Sequence, residues 1–296
     1  MPSHVGARAR MDAHETSDAL GCARATHASG DWSIESVRTP IVRQTRARAM
    51  ERAVGARATP EMLFDSSLTL THGPSGTTLR FVAEDALRSW MEADLPAVKV
   101  AAAATWNASH VERFGGRGGG GGDDGWRATE ASESYDWTFT TPYGGTVTST
   151  SGRDAPEWRP TARSIDRAML TARDPILFYD ELTLYESEFD DHGAAHLGLK
   201  IRVMPKCWYV LLRFWLRVDG VLIRLYETRF FCDVSAPDAV VVRETTRREE
   251  TWDQLRARGA PSEPRQYPNA DDAASALLAS GGPVTMFAHE LALARP

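Results

Sequence analysis

The residues best suited to hold a metal ion lie in one short stretch. Asp190, Asp191 and His192 are consecutive, and His196 follows four residues after His192. Imidazole nitrogens and carboxylate oxygens are common zinc ligands, and two histidines four residues apart share a face when both stand on a helix. Here Gly193 favours a turn that leads into a strand, and no glutamate lies between the histidines to act as a base. The cluster is therefore either the metal site of a hydrolase or a polar turn whose carboxylates bond the local backbone.

Nucleophilic chemistry has three candidate thiols and one candidate acid–base group. Cys207 begins one apolar stretch and Cys232 ends another, while Cys22 stands apart from both. A cysteine nucleophile needs a histidine beside it, and cysteine in an apolar stretch is typically a small buried side chain. His72 lies in the turn-rich segment HGPSG, which favours a turn residue over a general acid or base. These residues predict a chain without a catalytic constellation and without a cofactor.

One glycine-rich segment, FGGRGGGGGDDG at residues 114–125, raises the question of a phosphate-binding loop. Such a loop needs a strand before it and Gly-Lys-Ser or Gly-Lys-Thr after it, and neither surrounds this segment. Glycine runs without those partners are flexible. We predict a flexible loop inserted between two strands.

Composition narrows the classes of function. The chain has 296 residues, of which 42% are hydrophobic and 25% charged, and its formal net charge is −6. These values predict a globular protein that is long enough to bury a core. An acidic balance argues against nucleic acid as a partner, because phosphate backbones are bound by basic surfaces. The lack of a run of about 18 apolar residues predicts no membrane-spanning helix. Three scattered cysteines favour a reducing compartment.

The patterning divides the chain into three parts. Residues 1–29 have no apolar periodicity and predict a disordered N-terminal tail. The pattern over residues 30–260 predicts a single domain. Residues 261–296 predict a C-terminal extension that is partly helical or flexible, with helical character at 271–280 and 285–294.

β-Strand patterns dominate the predicted domain. A hairpin is expected from the β-forming runs at 66–70 and 77–82, which a turn-rich segment separates. Further strands are expected at 135–141, 176–189 and 197–203 from β-branched and aromatic residues and from alternation. These patterns predict an α+β fold built on antiparallel, sandwich-like sheets with helices at their flanks.

The pair Asp219-Gly220 predicts another hairpin, because these residues tolerate the positive φ angles of a type I′ turn. Counting outward from a two-residue turn places three apolar pairs on one face: Val218 with Val221, Leu216 with Ile223, and Phe214 with Leu225. That face is expected to lie in the core. The opposite face alternates cations with large apolar side chains.

Five stretches of the sequence resemble the TIPRL family, the regulators of type 2A protein phosphatases in TOR signalling. They are PEMLFDSSLTLTHG at 60–73, EDALR at 84–88, YDWTFTTPYGGT at 135–146, DHGAAHLGLKIRVMP at 191–205 and LLRFWLRVDGVLIRLYETR at 211–229. The last two stretches are long and specific. The resemblance runs from about residue 32 to about residue 258.

The resemblance implies a non-enzymatic α+β protein that binds the catalytic subunits of type 2A-like phosphatases. It implies that the protein inhibits these subunits or controls their assembly in TOR signalling. It also implies a cytoplasmic location, with the nucleus as a second one. We expect the protein to be monomeric when alone.

The resemblance also implies four contacts with the phosphatase: Asp85, Ile165, Leu225 and Glu227. The chain departs from the family at the last two positions, where methionine and aspartate are common. Asp85 has a second interpretation, as an acid that stabilises the first turn of a helix. The hairpin register above places Leu225 on the core face, so this residue is a contact only if a bulge turns it outward.

Two other classes of function stay open at this point. One is a metal-dependent hydrolase that uses Asp190, Asp191, His192 and His196. The other is a β-sandwich whose apolar face encloses a small molecule.

Overall fold

A computed structural model describes residues 14–17, 21–56, 58–93, 138–150, 154–189, 193–238, 240–261 and 263–293. These residues form two antiparallel sheets with helices at their faces and ends. The predicted α+β class with antiparallel sheets is confirmed. The glycine-rich segment at 114–125 lies outside the described residues.

The smaller sheet contains two predicted strands that form a hairpin. The strands of this sheet are β1 (His14–Ser17), β2 (Ala23–Ser29), β3 (Trp32–Arg38), β5 (Ser67–His72), β6 (Thr77–Val82) and β7 (Thr146–Ser149). They lie side by side in the order β1-β2-β3-β5-β6-β7. The hairpin pairs β5 with β6, as predicted, with Ser67 opposite Val82 and His72 opposite Thr77. Threonines alternate along β5 with Leu68 and Leu70, which are fully buried, as expected for a strand with one face in the core.

The larger sheet holds the longest strands. Its strands are β4 (Met62–Leu63), β8 (Arg159–Pro160), β9 (Phe178–Ser187), β10 (Gly193–Met204), β11 (Cys207–Val218), β12 (Leu222–Asp233), β13 (Val240–Thr251) and β14 (Val284–Ala292). They lie in the order β4-β9-β10-β11-β12-β13-β14-β8. Strands β9 and β10 confirm the predictions at 176–189 and 197–203. The sequence of β11, CWYVLLRFWLRV, is largely apolar, as expected for a strand whose inner face lies in the core and whose outer face is covered at its ends.

The helices of the described residues are short and lie at the margins of the sheets. They are α1 (Gln44–Val54), α2 (Ala83–Glu92), α3 (Arg167–Thr171), α4 (Trp252–Ala257) and α5 (Ala270–Ala279), with a 3-10 turn at Pro264–Gln266. A capping box starts α4, in which Thr251 and Gln254 bond each other's backbone N–H groups. Among the described residues, no helix has the length and apolarity needed to cross a membrane.

The two sheets pack face to face and share the main core. Trp32 of β3 meets Trp208 of β11 edge to face, with ring centroids 5.0 Å apart. Phe81 of β6 meets Phe230 of β12 in the same way at 5.1 Å. Edge-to-face contact is a favoured geometry for buried aromatic rings. We call the face of the larger sheet that meets the smaller sheet the inner face, and its opposite the outer face.

Two smaller apolar clusters cover the ends of the outer face. At one end, α4 and α5 cover Trp215, Ile223 and Leu225. At the other end, Ile165 and α3 cover Cys207, Phe231 and Val242 together with Met204. The outer face is therefore covered at both ends and more open between them.

The hairpin at Asp219-Gly220 has a different register from the predicted one. Val218 pairs with Leu222, so the turn contains three residues, and Trp215 rather than Phe214 lies opposite Leu225. Gly220 has a φ of 72°, while Asp219 is not among the described residues with positive φ, so a type I′ turn is absent. The added residue reverses the faces along β12. The expectation that Leu225 shares the main core with Phe214 is wrong, since Leu225 lies on the outer face.

Regular strands extend into both segments expected to lie outside the domain. Strand β2 belongs to the smaller sheet although a disordered tail was expected over 1–29, of which residues 1–13 and 18–20 lie outside the described part. Helix α5 matches the helical character expected at 271–280, but the segment from 285 forms β14 instead of a helix. Small side chains explain the error at β2: ARATHAS alternates in burial without large apolar residues.

The strand predicted at 135–141 is absent from its described part. Residues 138–145 form an irregular segment between α2 and the inner face, and Phe139 has a φ of 54°. Residues 135–137 lie outside the described residues. The segment is held by side-chain bonds: Thr141 Oγ1 donates to the Ala86 carbonyl oxygen at 2.8 Å, and Arg224 Nη1 donates to Thr140 Oγ1 at 2.6 Å.

Candidate functional site

The four residues expected to contact a phosphatase do not form one patch. Ile165, Leu225 and Glu227 lie on or against the outer face of the larger sheet. Asp85 lies on α2, which is joined through residues 138–145 to Arg224 on the inner face. The larger sheet therefore lies between Asp85 and the other three residues.

Asp85 is in the first turn of α2 and is half-buried. Its Oδ2 accepts a hydrogen bond of 2.6 Å from Thr146 Oγ1 on β7. A carboxylate in a first turn is also stabilised by the positive end of the helix dipole. Asp85 thus joins α2 to the smaller sheet and keeps part of its surface open.

Glu227 is buried among cations. Its Oε1 accepts bonds from Arg213 Nε at 2.9 Å and Arg213 Nη2 at 2.6 Å, and its Oε2 accepts one from Arg229 Nη2. Arg213 also bonds Asp271 on α5, and this hydrogen bond lowers the pKa of the Asp271 carboxyl. Only 8% of the Glu227 side chain is exposed, so Arg213 and Arg229 present the charge of this network to solvent.

Leu225 and Ile165 are buried in this structure. Leu225 is 1% exposed and packs beneath α5 against Leu277 and Trp215. Ile165 is 5% exposed, and its backbone N–H donates to Glu244 Oε1 at 2.8 Å. Neither side chain can touch a partner unless the segment above it moves. Both therefore shape the outer face from below.

The open part of the outer face forms a strip between α3 and α5. We call it the outer strip and define it by Leu211, Arg213, Glu227, Arg229, Thr246 and Met286, which lie on β11 to β14. Met286 is 67% exposed at the β14 end. Arg229 Nη1 donates to Thr246 Oγ1 at 3.1 Å, so the cations are fixed on the strip. An apolar margin beside ordered arginines is suited to protein recognition.

Sequence reasoning missed the two arginines that hold Glu227. The signal was present, because Glu227 and Arg229 are two residues apart and so share a face of β12. Arg213 lies directly opposite Glu227 in the observed register, whereas the predicted register placed Tyr226 there. A turn longer by one residue was enough to conceal the ion pair.

A cavity of about 290 Å³ lies where the outer face meets the N-terminus of α5. Its polar lining includes Glu181, Glu186, His196, Lys200 and Asp271. His196 Nε2 lies 3.4 Å from Thr183 Oγ1, and burial lowers the pKa of the imidazole. Mixed charges line this cavity, so it is not the apolar enclosure expected of a sandwich that surrounds a small apolar molecule.

The proposed metal cluster cannot be assembled from the described residues. Asp190, Asp191 and His192 lie outside them, and only His196 is described. Its ring packs over Gly198, where an added Cβ would come within 2.5 Å of Cε1, so a glycine is required beneath the imidazole. Within the described ranges, no group of three His, Cys, Asp or Glu side chains is placed to hold a metal.

The other candidate groups have structural surroundings. Burial raises the pKa of Cys207 to about 11 and that of Cys232 to about 12, which disfavours the reactive thiolate. His72 is 4% exposed, bonds Ser75 Oγ through Nδ1 at 2.8 Å and packs against Trp32. His72 therefore supports the turn after β5, in agreement with the structural interpretation of the sequence.

The chain is similar to proteins of several eukaryotes. The family model described as the TIP41-like family matches residues 62–256. A TIP41-like protein of Arabidopsis thaliana is 39% identical over 247 residues, covering 78% of this chain and 79% of that protein. A TIP41-like protein of Homo sapiens is 37% identical over 227 residues, covering 76% and 77%. The type 2A phosphatase activator TIP41 of Saccharomyces cerevisiae is 31% identical over 235 residues, covering 77% and 64%.

Proposed function

This chain belongs to the TIP41-like family, and we propose that it is a non-enzymatic regulator that binds the catalytic subunits of type 2A-like phosphatases. The resemblance to the TIPRL family seen in the sequence is confirmed by the family match. The observation that carries the proposal is the name type 2A phosphatase activator for the yeast relative. Action in TOR signalling, in the cytoplasm and nucleus, is part of the proposal.

Two surfaces of the molecule are suited to this docking. The first is the exposed side of α2, where Asp85 offers a carboxylate fixed by Thr146. The second is the outer strip, where Arg213 and Arg229 lie over Glu227. Because the larger sheet separates them, a compact interface is expected to use one surface as its centre. We place the centre on α2, since Asp85 keeps open surface while Glu227 is neutralised inside the chain.

Leu225 and Ile165 have an indirect role in this proposal. Leu225 supports α5, and Ile165 supports the segment before α3. Changes at these positions would alter the shape of the outer strip without removing a direct contact. Substitutions of Leu225 or Ile165 are therefore expected to weaken phosphatase binding only to the extent that they disturb the fold.

The test is a calorimetric titration of a type 2A catalytic subunit with the wild-type chain, with Asp85→Asn and with Glu92→Gln. The introduced amide keeps an acceptor for Thr146 and removes only the charge. Glu92 is exposed at the last turn of the same helix and serves as the matched control. We expect Asp85→Asn to weaken binding about tenfold, the usual scale for one lost interface charge. Equal affinity of all three proteins for the catalytic subunit would show that the docking surface is not on α2.

A further inference from the structure

Arg243 on β13 is a partly buried cation for which the described part of the chain offers no counter-ion. Its side chain points to the inner face between Phe230 on β12 and His289 on β14. Among the described residues, no carboxylate lies within 4.0 Å of its guanidinium, and its Nε is buried without a hydrogen-bond partner. Within the described ranges, its one hydrogen bond is a long one of 3.4 Å from Nη1 to the Gly144 carbonyl oxygen. Burial lowers the pKa of Arg243 to about 10.

Two neighbouring ring nitrogens also have no hydrogen-bond partner among the residues that the structure describes. The Arg243 guanidinium carbon lies 4.2 Å from the ring centre of Trp158, so the charge stacks on the indole. Trp158 Nε1 and His289 Nδ1 are both buried, and neither has a hydrogen-bond partner in the described residues. Three neighbouring side-chain nitrogens are thus buried without a hydrogen-bond partner among the described residues: Trp158 Nε1, His289 Nδ1 and Arg243 Nε.

Gly144 leaves room beside the Arg243 guanidinium. A Cβ added at Gly144 would lie 3.3 Å from Arg243 Nη1, tighter than most contacts of that kind. The glycine therefore lets the backbone of residues 143–145 approach the guanidinium without closing over it. Arg243, Trp158 and His289 are all half-buried, so part of each side chain is open to a ligand, while Trp158 Nε1 and His289 Nδ1 themselves are covered.

A second arginine on the inner face, Arg224, has the ion pairing that Arg243 lacks within the described residues. Arg224 is 3% exposed, yet its Nε donates to Glu249 Oε2 at 2.5 Å and its Nη1 to Thr140. Buried charges in proteins are normally paired in this way, because an unpaired one loses its hydration without compensation. Arg243 departs from that rule within the same sheet.

From these contacts we propose that Arg243, Trp158 and His289 form an oxyanion-binding site whose ligand is an acidic side chain of the bound phosphatase subunit. The inference rests on the proposed function for the identity of the ligand. A carboxylate suits the site because it can accept two parallel N–H bonds from a guanidinium. Binding would supply the counter-ion that the described residues of the free chain do not provide.

A neighbouring cation extends the site along β13. Arg247 lies four residues from Arg243 on the same face, which corresponds to about 13 Å along a strand. Its guanidinium carbon lies 5.0 Å from the ring centre of Tyr226 and 5.4 Å from that of Phe287, and its Nε has no hydrogen-bond partner among the described residues. The ligand segment is therefore expected to carry a second acid about four residues from the first.

Stability measurements separate a binding role from a structural one. Arg243→Met keeps an unbranched apolar stem and removes a charge that the described residues leave unpaired, whereas Arg224→Met breaks the ion pair of a buried arginine with the partly exposed Glu249 on the same face. We expect Arg243→Met to unfold at the wild-type melting temperature or above, and Arg224→Met to unfold several degrees below it. A loss for Arg243→Met as large as that for Arg224→Met would overturn the proposal, since Arg243 would then be satisfied within the chain.

Binding measurements test the ligand. The same proteins are titrated against a type 2A catalytic subunit, with Arg256→Met, an exposed arginine on α4, as the control for net charge. We expect Arg243→Met to bind at least about tenfold more weakly and Arg256→Met to bind as the wild type does. Wild-type affinity in Arg243→Met would overturn the proposal and leave the proposed function intact.

A third experiment uses no phosphatase, so it can test the site even if the wild-type chain fails to bind the catalytic subunit. Inorganic phosphate is then titrated at constant ionic strength while the melting temperature is recorded. A rise for the wild type that Arg243→Met lacks would support the oxyanion site although the proposed function had failed. An equal response of the two proteins would overturn the site as well.

Discussion

At the scale of single residues, the outer face is organised by one buried acid between two arginines. Glu227 is held by Arg213 and Arg229, and Arg213 continues to Asp271 on α5. A buried ion pair contributes little net stability relative to an apolar pair, but the loss of one partner is costly. The network is therefore expected to fix the position of α5 more than to raise stability.

A change at Arg213 tests this view. Arg213→Met leaves Glu227 with one cation and is expected to lower the free energy of unfolding by about 3 kcal/mol. The double variant Arg213→Met/Glu227→Met removes both charges and should recover at least half of that loss. Denaturant unfolding measures both values. A double variant less stable than Arg213→Met alone would contradict this role of the network.

At the scale of secondary structure elements, α5 is the cover of the outer face at one end. Asn269 caps its first turn by accepting bonds from the N–H groups of Asp271 and Asp272. Ala273, Ala274 and Leu277 face the sheet, while Leu278 is 60% exposed. This one-sided pattern means that a single leucine anchors most of the apolar contact of the helix.

Neighbouring leucines on α5 offer a matched pair of variants. Leu277→Ala leaves a cavity against Leu225 and should lower the free energy of unfolding by about 3 kcal/mol. Leu278→Ala removes an exposed side chain and should change it by less than about 0.5 kcal/mol. Equal effects in denaturant unfolding would show that α5 does not pack on the sheet as described.

Strands could be predicted from the sequence where large apolar residues alternate with small or polar residues along the chain. β10 was found because Leu197 and Leu199 alternate with Gly198 and Lys200, and β5 because its leucines alternate with threonines. β2 and β14 were missed for different reasons. β2 has small residues on its buried face, and β14 contains helix-forming residues at a partly open sheet edge.

Site residues were less predictable than strands because they depend on register. One added residue in the turn at Gly220 moves Leu225 from the expected main core to the outer cluster and places Arg213 opposite Glu227. Arg243 gave no signal at all, since the sequence of a polar strand does not reveal which of its arginines has a counter-ion. That property emerges only when two sheets and the segment at Gly144 meet.

At the scale of the whole molecule, four described histidines share one trend. Burial lowers the pKa of His27, His72, His196 and His289 below the ordinary value of 6.5. The unfolded chain therefore binds protons at a higher pH than the folded protein does. By linkage, the contribution of these four histidines to stability is fully present above pH 6.5 and falls as the pH drops through 6.5 toward the lower folded values.

The pH dependence gives a prediction for the intact chain. The free energy of unfolding should be lower at about pH 5.5 than at about pH 7.5. His72→Gln should reduce that difference, because the most buried of the four imidazoles no longer titrates. Denaturant unfolding at the two pH values makes the comparison. A wild-type chain that is equally or more stable at the lower pH would contradict the trend.

Function also belongs to the whole molecule, because family membership concerns the chain from residue 62 to residue 256 and not one motif. The most direct measurement is a titration of a type 2A catalytic subunit with the purified chain, with phosphatase activity followed in the same tube. We predict saturable binding at micromolar concentration or below. Reduced activity would mark an inhibitor, and unchanged activity would mark an assembly or escort role. The absence of binding at tens of micromolar would contradict the proposal that this member of the family is a phosphatase regulator.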